Sequence, residues 1–121
     1  MKLKADPRHI KRTEIMKSLF SWNFQQKKRP PKEIAEIVKN LSLLDTTISE
    51  SATNRPIAEI NKIDLAILRL AVFELIIKRS APVKVIIDEA VELGKEFGSD
   101  SSSAFINGAL GQVVKLKKIE I

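Results

Sequence analysis

The strongest constraint in this chain lies between residues 62 and 79. There Lys62-Ile63-Asp64-Leu65-Ala66-Ile67-Leu68-Arg69-Leu70-Ala71-Val72-Phe73-Glu74-Leu75-Ile76-Ile77-Lys78 is apolar on nearly every side. A helix of that kind must be wrapped by other elements rather than lie on a surface. It is too short for a bilayer, and Arg69 and Glu74 interrupt it. The next segment sets Val83, Ile86, Ile87, Ala90, Leu93, Gly94 and Phe97 on one stripe at helical spacing. A third carries Phe105, Ile106, Ala109, Val113 and Leu116 in the same way. Around a central buried helix, amphipathic partners give an all-α bundle.

The rest of the chain supplies the remaining partners. Asp6-Pro7 reads as a cap followed by proline at the first helical position, opening a helix to about Gln26. That helix would bury Ile15, Leu19 and Trp22, with Met16 and Phe20 beside them. Lys27 to Pro31 reads as a basic turn. From Pro31 to about Thr53 the spacing of Ile34, Ile37, Leu41, Leu44 and Ile48 predicts one helix, with a break near Asp45 as the alternative. Asn54 to Asn61 reads as a connector with a helical turn at residues 57–60. The central helix runs to about Arg79, and Pro82 opens the next, which Gly98 would close as a left-handed cap. The expectation is a single-domain bundle over residues 1–121, of five long helices and one short one. Residues 1–7 form a basic arm ahead of the first helix.

Arg69, alone inside the apolar run, calls for a paired carboxylate, for which Asp64, Glu74 and Glu89 are candidates. Gly94 and Gly108, inside helical patterns, imply close helix approach. Asp88, Glu89, Glu92 and Glu96 read as a solvated acidic face, with pairs such as Lys84 and Asp88.

Charge separates sharply along the chain. Residues 1–32 hold ten lysines and arginines against Asp6 and Glu14, whereas the remainder is slightly acidic; the net charge is +6. A segregated basic segment is the footprint of a polyanionic partner. The absence of cysteine and the single histidine exclude the usual Cys/His zinc site, and no cofactor loop is present. His9 sits in the basic segment rather than by a core pocket, which argues against an enzyme. It reads as exposed or as a stacking partner for RNA. No leader peptide is visible at the amino end, and a cytoplasmic location is expected.

The motifs in order resemble the NusB family of bacterial transcription antitermination factors. The resemblance is carried by Lys62-Ile63-Asp64 with Ala66 to Ala71 and Glu74-Leu75, and by Val83-Lys84-Val85 with Glu89 to Leu93. Phe105-Ile106-Asn107-Gly108 with Leu110 continues it, and Arg8, Arg12, Leu19, Phe20 and Trp22 complete it near the start. The resemblance implies an all-helical fold and binding of single-stranded, boxA-like RNA of ribosomal RNA transcripts. Ribosomal protein NusE would be the partner, within an RNA polymerase antitermination complex. By position it assigns RNA contact to Arg8, His9 and Arg12, supported by Lys2, Lys4 and Lys11. NusE docking falls to Glu59, Asn61, Lys62 and Leu65. The alternative is a free-standing NusB-like domain that binds protein, such as an rRNA methyltransferase on a separate chain or a second copy of itself. The segment between the first helix and Ile34 is shorter than the family pattern.

Overall fold

The structure, a computed structural model, describes residues 6–53 and 55–121. The expected arm at residues 1–5, with Lys2 and Lys4, lies outside the described residues, as does Asn54. Six α-helices are described: α1 (Pro7–Asn23), α2 (Ala35–Lys39), α3 (Leu41–Ser51), α4 (Lys62–Phe73), α5 (Val83–Phe97) and α6 (Ser102–Leu116). Short 3-10 turns at Lys32–Ile34 and Ile57–Glu59 lead into α2 and α4, and a π-helical turn, Glu74–Lys78, extends α4. Among the described residues there is no strand, and no helix is long and apolar enough to cross a membrane.

Helix α4 is the axle. Every residue from Asp64 to Phe73 is buried, and α1, α3, α5 and α6 all pack against it. Asn61 caps it, its side-chain oxygen accepting from the Ile63 and Asp64 amides. Helix α1 contributes Met16, Leu19 and Trp22 to the core, while Ile15 and Phe20 are half-buried. Asp6 caps α1 by accepting from the Arg8 amide at 2.8 Å, and Pro7 occupies the first turn. That bond holds the Asp6 carboxyl below its ordinary pKa.

Three expectations need correction. The segment from Pro31 to Thr53 is two helices, and the break falls at Asn40, not Asp45. The Asn40 backbone leaves helical geometry (φ −102°, ψ 13°), and its side-chain amide donates to the Glu36 carbonyl at 2.8 Å, taking over a bond the helix has lost. Gly98 closes α5 in extended geometry (φ −92°, ψ −166°), not as a left-handed cap. Glycine is needed there for space, because a Cβ would collide with the Ser102 side chain and with the Gly94 carbonyl. Left-handed backbone occurs instead at Arg79 (φ 51°), at the end of the π turn, and at Lys118 (φ 52°), just past α6. Close approach holds for Gly94, where a Cβ would stand 2.9 Å from Ile106 Cδ1, but Gly108 faces open space.

Candidate nucleic-acid interface

The basic first helix has two faces with different electrostatic duties. On the inward face, Arg12 reaches α4 and its π extension. Its Nε donates to Glu74 Oε2 at 2.9 Å and its Nη2 to Glu74 Oε1 at 2.8 Å, a two-pronged fork. A second nitrogen, Nη1, lies 3.7 Å from Glu89 Oε1 on α5. The Glu74 hydrogen bonds hold the guanidinium even more firmly protonated than usual, against the opposing effect of burial.

His9 lies one turn earlier and is 4% exposed. Its Nδ1 is 2.7 Å from Glu89 Oε2 and its Nε2 is 2.7 Å from Glu96 Oε1. Ionised carboxylates only accept hydrogen bonds, so both ring nitrogens must donate, and that requires the imidazolium. The Glu89 bond, joined by the one from Glu96, raises the histidine pKa against the cost of burial. The five side chains His9, Arg12, Glu74, Glu89 and Glu96 thus form one network tying α1 to α4 and α5. With all groups ionised it carries two positive and three negative charges.

This changes the reading of two residues. His9 is neither exposed nor open for stacking, and Arg12 is engaged by carboxylates from helices far away in sequence. Expected as a solvated face, the acidic residues of α5 are divided: Glu89 is buried in this network, Glu96 caps its edge, and Asp88 is exposed. Among the described residues, no ion pair joins Lys84 to Asp88. The sequence signal for the network was the matched run of acids on α5 and bases on α1, but no periodicity tells which side chains meet.

On the outward side, Arg8 and Lys11 are exposed. The Arg8 side chain is 84% exposed and 3.6 Å from Asp6. Lys11, Lys27, Lys28, Arg29 and Lys32 have no carboxylate within ion-pair distance among the described residues. Within the basic segment, the cations clear of the network therefore stand at the amino end of α1 and at the turn that follows it.

Arg69 shows the paired guanidinium that its apolar surroundings required, but with partners outside the expected three. Its Nε and Nη2 fork onto Asp45 at 2.9 and 2.8 Å, and Nη1 donates to Asn23 at 2.7 Å. One arginine thus ties the end of α1 and the middle of α3 to α4.

The residues assigned to protein docking lie around the start of α4. Glu59, Asn61 and Lys62 are exposed, whereas Leu65 is 2% exposed and belongs to the core. Leu65 packs in the core cluster, as α4 is enclosed on every side from Asp64 to Phe73, so its side chain offers no exposed docking surface. Nearby, the Arg55 guanidinium lies 4.2 Å from the centre of the Phe105 ring, fastening the connector to α6. Among the described residues, no group of His, Asp and Glu is arranged to hold a metal ion.

Fold and surface together define a small helical bundle whose first helix is clamped by carboxylates on one side and bare and basic on the other. The chain belongs to the NusB family, whose profile matches residues 32–115. It is 53% identical over 75 residues to the transcription antitermination protein NusB of Chloroflexus aggregans, a match covering 60% of this chain and 50% of that protein. It is 43% identical over 91 residues to the same-named protein of Alkaliphilus oremlandii, covering 75% and 66%. The chain spans about half the length of the first of these relatives. The solved structure of T. maritima NusB superposes with a TM-score of 0.80 at 28% identity, covering 91% of this chain and 92% of that one. A structure described as a plectonemic RNA supercoil shares the fold, with a TM-score of 0.77 at 18% identity over 94% and 98% of the two chains.

Proposed function

We propose that the protein is a non-enzymatic, cytoplasmic RNA-binding antitermination factor. Its ligand is single-stranded, boxA-type RNA of ribosomal RNA transcripts, bound together with ribosomal protein NusE in an RNA polymerase antitermination complex. The observation that carries the reading is the division of α1. The network holds the helix in place and spends its two cations, His9 and Arg12, on the carboxylates of Glu74, Glu89 and Glu96, while Arg8 and Lys11 stand clear of it. Exposed cations neutralise phosphates, and specificity comes from bases in an unpaired strand. On this reading Arg8 and Lys11, with Lys2 and Lys4, make the RNA contacts. Arg12 and His9 are positioning residues, which set the helix that carries the others. Glu59, Asn61 and Lys62 form the edge for NusE.

The test is titration of boxA RNA against a scrambled RNA at two salt concentrations, with and without NusE. About four phosphate contacts give a slope of log affinity against log salt near −3 for a single strand. Arg8→Ala with Lys11→Ala should weaken binding and flatten that slope. Absence of RNA binding under every condition, with retention of NusE or of a methyltransferase in a pull-down, would replace this reading with a protein-interaction module.

A further inference from the structure

A groove of about 390 Å³ runs between the second half of α1 and the basic turn after it. Its lining includes Lys17, Ser21, Trp22, Gln25, Lys28 and Arg29. Its size falls in the range of roughly 300–1,000 Å³ typical of clefts that accept small ligands or single residues of a polymer. We propose that this groove is a second RNA subsite, which takes a nucleotide flanking the element bound at the amino end of α1. The inference rests on the RNA-binding reading above and names where the strand goes next.

Local chemistry builds the groove. Trp22 is 8% exposed, and its indole N–H donates to the Lys28 carbonyl at 3.0 Å. The Gln25 amide donates to the Trp22 carbonyl and the Lys28 amide to the Gln25 carbonyl, at 2.8 and 2.9 Å. These bonds fold residues 25–28 back on the end of the helix, so Lys28 and Arg29 are held beside Ser21 rather than left on a free strand. Three cations line the groove, Lys17, Lys28 and Arg29, and Lys27 and Lys32 are their neighbours in sequence; all five are exposed. Lys17 also rests 5.1 Å from the centre of the Phe97 ring, which orients it. Against them stands Glu33, whose Oε1 already accepts from the Ser18 hydroxyl at 2.6 Å, with Glu14 further up the helix. The balance at the groove is positive, so the complementary ligand is an anion.

Several features select a nucleotide over a simple anion. Ser21 and Gln25 bring a hydroxyl and an amide, which bond to sugar and base edges, next to cations suited to phosphate. Phe24 stands one residue from Gln25, is 61% exposed, and meets Phe20 edge-on at 5.1 Å, leaving a ring available for stacking. The groove also continues the amino-terminal surface. Lys11 and Ser18 stand seven residues apart on α1 and so share one helical face, and Gln25 follows just past the helix end. Along α1, the seven residues from Lys11 to Ser18 at about 1.5 Å each span roughly 10 Å, which fits successive sites on one extended strand.

The experiment uses the full chain and three RNAs: a short boxA oligonucleotide, and the same element extended on its 5′ or on its 3′ side. Lys28→Ala with Arg29→Ala should leave the short RNA bound as before. Binding of one extended RNA should weaken about tenfold, with a salt slope reduced in magnitude by about 1.4. Trp22 is the only tryptophan, so its fluorescence reports the groove directly; it should change with that extended RNA and stay constant with the short one. Both replaced side chains are exposed, and circular dichroism checks that the fold is intact. Equal binding of all RNAs by parent and variant, or an unresponsive Trp22, overturns the subsite while leaving the amino-terminal reading standing. Equal competition by a polyglutamate peptide overturns it as well, in favour of a general anion surface. If no RNA binds at all, both readings fall.

Discussion

Helices α1 and α4 each carry an arginine that forks onto a carboxylate, and the two teach different lessons. Arg69 sits in a helix that is apolar all round, so its local sequence already demands a partner inside the bundle. Arg12 sits in a basic tract, where its neighbours point to an external anion. The structure nevertheless gives both the same geometry: a two-pronged contact at 2.8–2.9 Å, to Asp45 in one case and Glu74 in the other. Charge density along a chain therefore says where an anion is attracted, but not which cations stay free to meet it. On α1, only the side facing away from α4 and α5 keeps that freedom.

The largest way to break this comparison is at Arg69. Arg69→Ala leaves Asp45 and Asn23 without their shared donor at a site that is 4% exposed. A loss of about 3 kcal/mol in urea unfolding is expected. Arg12→Ala should cost somewhat less, about 2 kcal/mol, because it leaves Glu74 uncompensated while the helix keeps its apolar contacts. A double-mutant cycle with Glu74→Gln should show coupling between the two. If Arg12→Ala keeps full stability and only RNA binding drops, Arg12 acts at the outer surface, and the division of α1 is wrong.

His9 gives a pH-dependent version of the same test. Its folded pKa is raised above the unfolded value of about 6.5. The imidazolium therefore contributes stability that is fully present below that unfolded value and is lost as pH rises through the raised folded pKa. The melting temperature of the parent should decline across that window relative to His9→Gln, which should lack this component. Coincident pH profiles would remove the imidazolium from the account. The smallest stability effect belongs to Arg8→Ala and Lys11→Ala, within about 0.5 kcal/mol. Their effect should appear in RNA affinity and its salt dependence instead.

The helical bundle was legible because the requirement is local. Apolar residues recurring at 3.6-residue spacing must find a covered face, and α4, α5 and α6 lie where that spacing puts them. The cap at Asp6 acts within two residues and was readable as such, whereas Asn61 reads as the end of a connector and its capping bonds appear only in the structure. The break at Asn40 was less so, because a side-chain bond to Glu36 decides it against continuous apolar spacing. Gly98 shows the same limit: it carries no left-handed backbone, and its role appears only where Ser102 of the next helix begins.

The sequence by itself determined that this chain folds as helices around α4, that Arg69 must be paired, and that the amino end is the basic end. Periodicity, capping and charge act between neighbours, so they can be read in one dimension. Only the tertiary structure decided that Glu74, Glu89 and Glu96 capture Arg12 and His9, that Asp45 takes Arg69, and that Leu65 is lost to the core. Those outcomes depend on contacts between residues 24 to 87 positions apart. Electrostatic attraction is settled by distance in space, and that distance exists only after the helices have packed.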